Sequence, residues 1–304
     1  MRHPFVQAKL LFVLLFMPSF GFAQVPVQVV TKVIEKEFTY TEGQRLRLAA
    51  QKADVIVKGW SRSSVSVRLR LVARHSDRAT AERELNVHQY VAEVQNGQIE
   101  LSNRFVIPPR AGKLQSQLKA VYEISLPAHM LLTLTNSFGD IHVSDVAGDV
   151  SLTFEFGKLT LEDIGGKLAV TSTYGDIDGR NLNASLTLKA EKADITLRDL
   201  GGTVTLQSRY GKLTVLPATT LHALKIEAAR TEILVTTKRI VDFRFDVISA
   251  FADIRVPDGL TDQLSKYNGK QVFSYQPAGR KPEITILNSY SPVIIQGEKP
   301  LVDR

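Results

Sequence analysis

The fold of this chain is decided by the stretch Phe138-Gly139-Asp140, in which an aromatic residue, a small residue and a charged residue follow one another. The pattern returns at intervals of 18 residues, as Phe156-Gly157-Lys158, Tyr174-Gly175-Asp176, Lys192-Ala193-Asp194 and Tyr210-Gly211-Lys212. Looser copies follow as Arg230-Thr231-Glu232 and Phe251-Ala252-Asp253. Self-similarity at a fixed short period is typical of a solenoid, in which each repeat forms one coil and packs mainly against its neighbours.

Each repeat predicts two short strands. Apolar Val150, Leu152 and Phe154 alternate with polar residues, and the alternation resumes at Leu159 after the glycine. A period of two is typical of a half-buried strand, and Asp163-Ile164-Gly165-Gly166 predicts the second turn of the coil. Coils stacked at the usual strand spacing of ~4.8 Å would align one buried aliphatic column. Its predicted members are Ile141, Leu159, Ile177, Ile195, Leu213, Ile233 and Ile254.

We therefore predict an all-β protein, a parallel β-solenoid with ~18-residue coils and an irregular N-terminal cap that contains one short helix. Residues 46–60 predict an early coil, residues 77–85 predict the helix, and Asn96-Gly97 predicts a hairpin turn. Residues 284–290 repeat the pattern of residues 132–138, so the C-terminal end is expected to return to the solenoid.

The N-terminus has the features of a signal peptide over residues 1–23. Arg2 and Lys9 supply a basic region, residues 10–17 are apolar, and small Ala23 ends the segment. We expect cleavage after Ala23, no transmembrane segment in the mature chain, and export to the periplasm or to the cell surface. The predicted organisation beyond the signal peptide is 24–127 for the N-terminal coils and cap, 128–298 for regular repeats continuous with the cap, and 299–304 for a tail.

Composition limits the chemistry that is available. The chain has no cysteine, which excludes disulfides, thiol catalysis, lipid-modified cysteine and cysteine metal sites. The histidines show no metal-ligand spacing, and we predict no cofactor and no metal site. A formal charge of +7 suits an anionic partner such as an envelope polysaccharide, although solvated basic faces give the same charge. Nucleic acid is not expected as a partner.

The sequence also resembles a known family. Lys52-Ala53-Asp54-Val55 opens a coil, an interruption ends near Leu126-Pro127, and strand pairs such as Ser137-Phe138-Gly139-Asp140-Ile141 follow. In these features, over roughly Thr39 to Ile295, the chain resembles the putative-adhesin β-strand-repeat family of exported bacterial proteins, a domain of unknown function. The resemblance implies a parallel β-solenoid on the outer side of the cytoplasmic membrane. It brings no catalytic residues.

Two side-chain columns are candidate binding sites. A column at the second turn could bind calcium through stacked oxygen ligands, or its members could be Asx turns that cap their own backbone. The aromatic residues of the repeated tripeptide could form a sugar-stacking platform if they face water, or a buried or rim-stacked ladder that supports the turn. The second-turn column consists of Asp145, Asp163, Asn181 and Asp199.

A third candidate is a group of arginines near the N-terminal cap. Strand alternation places several of them on solvent-facing positions, where they could contact an anionic glycan or lipopolysaccharide, or protect a sheet edge from aggregation. The candidate contact residues are Arg45, Arg47, Arg68 and Arg70.

These observations predict a non-enzymatic, exported β-solenoid that acts as an adhesin-like binding or structural module of the bacterial cell envelope. Its partner would be an anionic envelope polysaccharide or another envelope protein. One alternative is a lyase or hydrolase that acts on polysaccharide through carboxylates, for which Asp176, Asp178 and Asp194 are the candidates. The other alternative is an envelope scaffold that assembles through open strand edges.

Overall fold

A computed structural model describes residues 26–109 and 112–297 of the 304-residue chain. The predicted signal peptide and tail lie outside the described residues. The described part is all-β, as predicted, apart from one helix, α1 (Arg78–Leu85), and short 3-10 turns at Ile240–Asp242 and Asp258–Gln263. Its strands are β1 Gln28–Thr39, β2 Arg45–Gln51, β3 Ala53–Trp60, β4 Ser64–His75, β5 His88–Gln95, β6 Gln98–Phe105, β7 Gln117–Pro127, β8 Leu131–Ser137, β9 Ile141–Ser144, β10 Asp149–Ile164, β11 Lys167–Glu191, β12 Ile195–Thr237, β13 Arg244–Ala250, β14 Ile254–Arg255, β15 Leu264–Tyr267, β16 Lys270–Tyr275, β17 Glu283–Ser289 and β18 Val293–Gly297.

The strands form two long ladders, which we call face A and face B. Face A runs from β5 through β6, β2, β8 and successive segments of β10, β11 and β12 to β17, β13, β16 and β15. Face B runs from β1 through β4, β7, β3, β9 and the other segments of β10, β11 and β12 to β18 and β14. Strands β10 to β12 are long because they continue around the corners between the two faces.

In the middle of the chain, spatial neighbours are also neighbours in sequence. Leu152 pairs in parallel with Leu134 on one side and with Val170 on the other, so partner residues differ by 18. Because side chains alternate along a strand, this register places each apolar side chain above the equivalent side chain of the neighbouring coil. The aligned side chains form a column. Every member of the predicted aliphatic column is buried, which confirms the column. The structure adds Val293, which pairs with both Ile233 and Ile254 and fills the place between them.

At both ends, the order of coils in space differs from their order in the chain. Near the N-terminus, β2 and β3 lie between the β6–β7 coil and the β8–β9 coil, although they precede both in sequence. Near the C-terminus, β17 and β18 lie between the last coil of β12 and the β13–β14 coil. The last described coil of the chain is therefore an interior coil of the solenoid.

Two equivalent asparagines join the coils at these places. The side-chain amide of buried Asn136 donates to the carbonyl oxygen of Ala53 at 2.8 Å, and that of buried Asn288 donates to Thr231 at 3.1 Å. Each acceptor belongs to a coil that is adjacent in space and remote in sequence. The two asparagines occupy equivalent positions in the repeated segments 132–138 and 284–290 and make equivalent hydrogen bonds.

The region predicted as an irregular cap is more regular than expected. Strand β4 pairs antiparallel with β1 and with β7, and β5 and β6 form an antiparallel hairpin across Asn96-Gly97. Helix α1 lies where the sequence predicts it, with Asp77 as its N-cap through a side-chain oxygen that accepts from the Thr80 amide. Alternating apolar residues in β4 and β7 supply the buried side of these strands, and β1 contributes buried Ile34, so the cap is mostly sheet.

Candidate functional site

The first corner, between face A and face B, carries the most distinctive surface of the protein. One residue per coil occupies the same place there, and each has a positive φ, between 48° and 64°. We call this row the aromatic–cation ladder. In spatial order its members are Lys52, Phe138, Phe156, Tyr174, Lys192, Tyr210, Arg230, Tyr290 and Phe251.

The side chains of the ladder stack on one another. The ring centroids of Phe138 and Phe156 are 4.8 Å apart with planes 4° from parallel, and those of Phe156 and Tyr174 are 5.1 Å apart. Lys192 Nζ lies 4.6 Å from the Tyr174 ring centroid, a cation–π distance. It also donates to the Tyr174 hydroxyl at 2.7 Å, and this hydrogen bond raises the pKa of Lys192.

The ladder continues beyond Lys192. The Arg230 guanidinium lies 5.6 Å from the Tyr210 ring and 5.1 Å from the Tyr290 ring, so one cation joins two aromatic rungs. Tyr290 then stacks on Phe251 at 5.2 Å. The sequence did not place Tyr290 before Phe251 in this order, because the coil that carries Tyr290 is inserted between two earlier coils.

The corner geometry explains the small residue that follows most rungs. A Cβ at Gly157 would collide with the carbonyl oxygen of Gly139 in the preceding coil. Positive φ disfavours bulky L-residues, and a row of them is unusual in a protein. Aromatic residues occupy these positions although glycine would suit the backbone better, and their side chains stack on one another.

The six aromatic rungs are solvent-exposed, with between 41% and 70% of each residue accessible. The aromatic column therefore lies at the rim of the corner and is not buried. Phe156, in the middle of the ladder, has an aromatic ring stacked on each of its two faces. A sugar ring needs a free aromatic face, so the middle of the ladder, such as Phe156, does not offer a stacking platform.

The charged residues after the small residue have a backbone role. Asp140 Oδ1 accepts from the Lys158 amide at 2.9 Å, and Asp176 Oδ1 accepts from the Asp194 amide at 2.9 Å, each one coil further on. Asp194 in turn accepts from the Lys212 amide at 2.8 Å. These carboxylates complete the hydrogen bonding between coils at the corner.

The candidates for the enzymatic alternative are engaged in similar contacts. Asp178 lies within a strand on the outward side of face B, in ion pairs with Arg198 and Lys158. Gly179 beside it is buried within the strand, where a Cβ would meet Leu182 and Leu197. The arrangement gives Asp178 a surface charge partner on each neighbouring coil.

The second corner holds the four-residue column for which calcium was considered. All four residues have φ between 51° and 59°, as Asx residues tolerate at turns. The side-chain amide of Asn181 donates to Asp163. Within residues 26–109 and 112–297, no group of three or more His, Asp or Glu side chains is arranged to hold a metal ion.

A polar groove lies on face A beside the ladder, with a volume of about 520 Å³. Four lining residues directly precede ladder members in the chain, namely Thr173, Glu191, Arg209 and Ala229. Within the described part of the chain, neither Lys189 nor Arg209 has a carboxylate within 4 Å. The sequence signal for the groove is the run of polar residues at the outward positions of successive repeats. Polar lining residues are Thr171, Thr173, Lys189, Glu191, Gln207, Arg209 and Glu227.

The structure divides the four candidate arginines between the two faces. Arg45 and Arg47 are exposed on β2 in face A. Arg68 and Arg70 lie on β4 in face B, where both contact Glu123, at 3.7 Å and 3.0 Å. Arg68 also contacts Glu35 at 3.4 Å. The four residues therefore do not form one cluster, and contact of any of them with an anionic glycan stays a prediction.

None of the helices in the described ranges is long and apolar enough to cross a membrane.

Two titratable side chains are buried near the N-terminal end. His88 is buried with its ring 4.6 Å from that of Phe105, and burial lowers the pKa of His88. Glu84 is also buried; burial alone would raise its pKa, but hydrogen bonds from Ser116 and Gln115 outweigh burial and lower the pKa.

The sequence pattern of the Toastrack DUF4097 family matches residues 44–285, and the chain belongs to this family. The resemblance to an adhesin-like family of unknown function is thereby confirmed. No curated protein matches the chain.

Three of the solved structures that match the chain show low similarity to it. They are a putative cell adhesion protein from Clostridium sporogenes (11% identity, 88% of this chain and 100% of the other, TM-score 0.25), a putative adhesin from Bacteroides fragilis (12%, 86% and 97%, 0.41) and a putative lipid binding protein from Parabacteroides distasonis (12%, 87% and 96%, 0.44). At these identities and scores, the functions in those descriptions belong to those proteins alone.

Proposed function

We propose that this protein is a non-enzymatic, exported binding module of the bacterial cell envelope, which holds a polymeric glycan along its solenoid axis. The observation that carries the proposal is the polar groove on face A, which runs across several coils beside the exposed aromatic–cation ladder. Hydroxyl, amide, ammonium and guanidinium groups line the groove at strand spacing. Such groups suit the hydroxyls and charges of a polysaccharide.

A repeating surface favours a repeating ligand. Equivalent outward positions recur in each coil at ~4.8 Å, so a polymer that lies along the axis meets a new set of polar groups at regular steps. Each contact is weak, but linked contacts raise the overall affinity by effective concentration. Rigid coils also present these groups without a large loss of conformational entropy on binding.

The charges of the groove favour acidic over neutral polymers. Lys189 and Arg209 lack carboxylate partners among the described residues, whereas Glu227 is held by Lys225 at 2.6 Å and by Gln207 at 3.2 Å. Glu191, the other carboxylate of the lining, has no cation within 4 Å among the described residues, so two unpaired cations and one unpaired carboxylate leave the groove a net positive charge. Arg45 and Arg47 lie further along the same face and extend the basic character toward the N-terminal end.

The test measures binding of the protein without residues 1–23 to polygalacturonate oligomers of increasing length, with neutral dextran as comparison. We expect affinity to rise with oligomer length, and the double variant Lys189→Ala/Arg209→Ala to lower it by at least tenfold. The matched control is Arg180→Ala/Arg255→Ala, which removes two outward cations from face B. Equal loss of affinity in both double variants, or an affinity that does not depend on oligomer length, would contradict binding in the groove.

Export is a separate part of the proposal and has its own test. A C-terminal epitope tag is probed on intact and on permeabilised bacterial cells that express the full chain. A tag that lies outside the cytoplasmic membrane in either preparation supports an envelope module. A tag that is labelled on intact cells supports an adhesin. A tag that fractionates with cytoplasmic proteins would overturn this part.

A further inference from the structure

The aromatic–cation ladder ends at Phe251, and the end differs from the middle. Tyr290 covers one face of the Phe251 ring at 5.2 Å. Strand β16 is the next strand of face A, and the Phe251 amide donates to the carbonyl oxygen of Gly269 at 3.1 Å. The residue beside the outer ring face is thus a glycine, which has no side chain to stack. Phe251 is accordingly 70% exposed, the highest value among the aromatic rungs.

A cleft of about 480 Å³ lies at this end, between the corner and the β15–β16 hairpin. It contains a second aromatic residue, Tyr267, which is 75% exposed. We call it the terminal cleft. Two large aromatic residues exposed in one concavity are unusual on a protein surface unless they contact a ligand. A free ring face is the platform that the middle of the ladder lacks.

The charges of the terminal cleft are predominantly basic. Lys266 and Lys270 line it, and neither has a carboxylate within 4 Å in the described part of the chain. Asp253 is also in the lining, but its Oδ1 accepts a hydrogen bond from Gln271 at 3.0 Å. The oxygen of the same Gln271 amide accepts from the Ile254 amide, which fixes Gln271 and thereby Asp253 in place.

We propose that the terminal cleft binds an acidic sugar residue, a hexuronic acid, separately from the polar groove. The apolar C–H face of the pyranose packs on the outer face of Phe251, because the electron-rich ring face attracts the partially positive C–H groups. The sugar carboxylate contacts the ammonium groups of Lys266 and Lys270. Tyr267 supplies a second apolar surface with a hydroxyl that hydrogen-bonds to the sugar.

This cleft recognises a short ligand, whereas the groove requires a long one. A single ring face accommodates one sugar residue, and the cleft spans one corner rather than several coils. The proposal therefore does not depend on the polar groove, and the two sites respond to different ligands and different variants.

The experiment is an NMR titration of the protein without residues 1–23 with trigalacturonate, compared with neutral galactotriose. We expect trigalacturonate to bind at least tenfold more tightly than the neutral sugar. Phe251→Ala should weaken binding at least tenfold, Phe251→Tyr should retain it, and Lys266→Gln/Lys270→Gln should abolish the preference for the acidic sugar. Asp253→Asn should strengthen binding, because it removes the one negative charge of the cleft.

The matched control is Phe156→Ala, which removes a ladder residue of the same type and backbone conformation whose two faces are both covered. Binding of trigalacturonate should be unchanged by it and by Lys189→Ala/Arg209→Ala in the groove. If Phe251→Ala fails to fold, the exposed Tyr267→Ala tests the same cleft. Equal affinity for the two sugars, no binding, or no effect of either aromatic variant would overturn the proposal, whatever the outcome for long polymers.

Discussion

The middle of the solenoid and its two ends use the same coil but connect it differently. From β8 to the first coils of β12, each coil packs on the coil that precedes it in the chain, at a separation of 18 residues. At the ends, neighbouring coils are separated by much longer stretches, as in the pairing of Ala223 with Glu283. The repeat supplies strand alternation and corners in both places, but it fixes the stacking partner only in the middle.

This difference has a consequence for stability and for folding. Contacts between coils 18 residues apart close short loops, whereas an inserted coil closes a long one and forms at a greater entropic cost. The ends therefore depend on specific contacts made after most of the chain is in place. The comparison predicts that the ends respond to truncation, side-chain deletion and pH differently from the middle.

The largest effect is expected from truncation after Pro282. Removing β17 and β18 takes away an interior coil, so β13 and β14 lose their parallel partners and the last coil of β12 loses its cover. We expect amide protection to disappear over residues 223–255 and to persist over residues 131–209 in hydrogen exchange. Protection retained throughout would show that the C-terminal coil is peripheral.

Deletion of the joining asparagines should have the next largest effect. Asn136→Ala and Asn288→Ala each leave buried carbonyl oxygens without a donor, at a cost of about 1–3 kcal/mol in the free energy of unfolding. The control is Ser172→Ala in the same column of the middle, whose hydroxyl bonds only within its own turn. Urea denaturation measures all three, and an equal cost for Ser172→Ala would remove the distinction between junction and middle.

A smaller effect on stability is expected in the ladder, where the alanine and glycine variants should rank in the opposite order to that at an ordinary strand position. Phe156→Ala loses stacking worth about 0.5–1.5 kcal/mol and keeps a Cβ at positive φ, whereas Phe156→Gly loses the stacking but relieves the backbone by about 1 kcal/mol. Glycine should thus be the more stable of the two. At Thr153, an exposed strand position, alanine should be the better substitute; the same order at both sites would contradict the corner geometry.

The smallest effect concerns pH and is confined to the N-terminal end. Burial lowers the pKa of His88, so the unfolded chain binds a proton more readily than the folded one. Its contribution to stability is complete above the ordinary histidine value of about 6.5 and is lost as pH falls below that value toward the folded pKa.

His88→Leu should therefore reduce the drop in melting temperature between pH 7.5 and pH 5.5, as followed by circular dichroism. His222→Leu, at an exposed histidine, is the control and should leave the drop unchanged. A wild-type-like drop in His88→Leu would assign the pH dependence to other groups.

Several details could be predicted because they depend on local chemistry. The positions of α1 and of the Asn96-Gly97 turn follow from capping and turn residues a few positions apart.

The exposed position of the ladder and the polar groove could not be predicted from the repeat pattern alone. Whether an aromatic column at a corner faces inward or outward depends on the sign of φ, and a groove depends on how neighbouring coils are offset, neither of which alternation reveals.

By itself, the sequence determined the all-β class, the aliphatic column and the corner positions, because each depends on residues within one repeat and on side-chain alternation. The tertiary structure alone decided that the coils of β2–β3 and β17–β18 are interior ones. It also decided that Phe251 ends the ladder beside Gly269. Backbone hydrogen bonds between parallel strands can form with any coil of matching length. Which coil becomes the neighbour therefore depends on contacts between residues that are far apart in the chain.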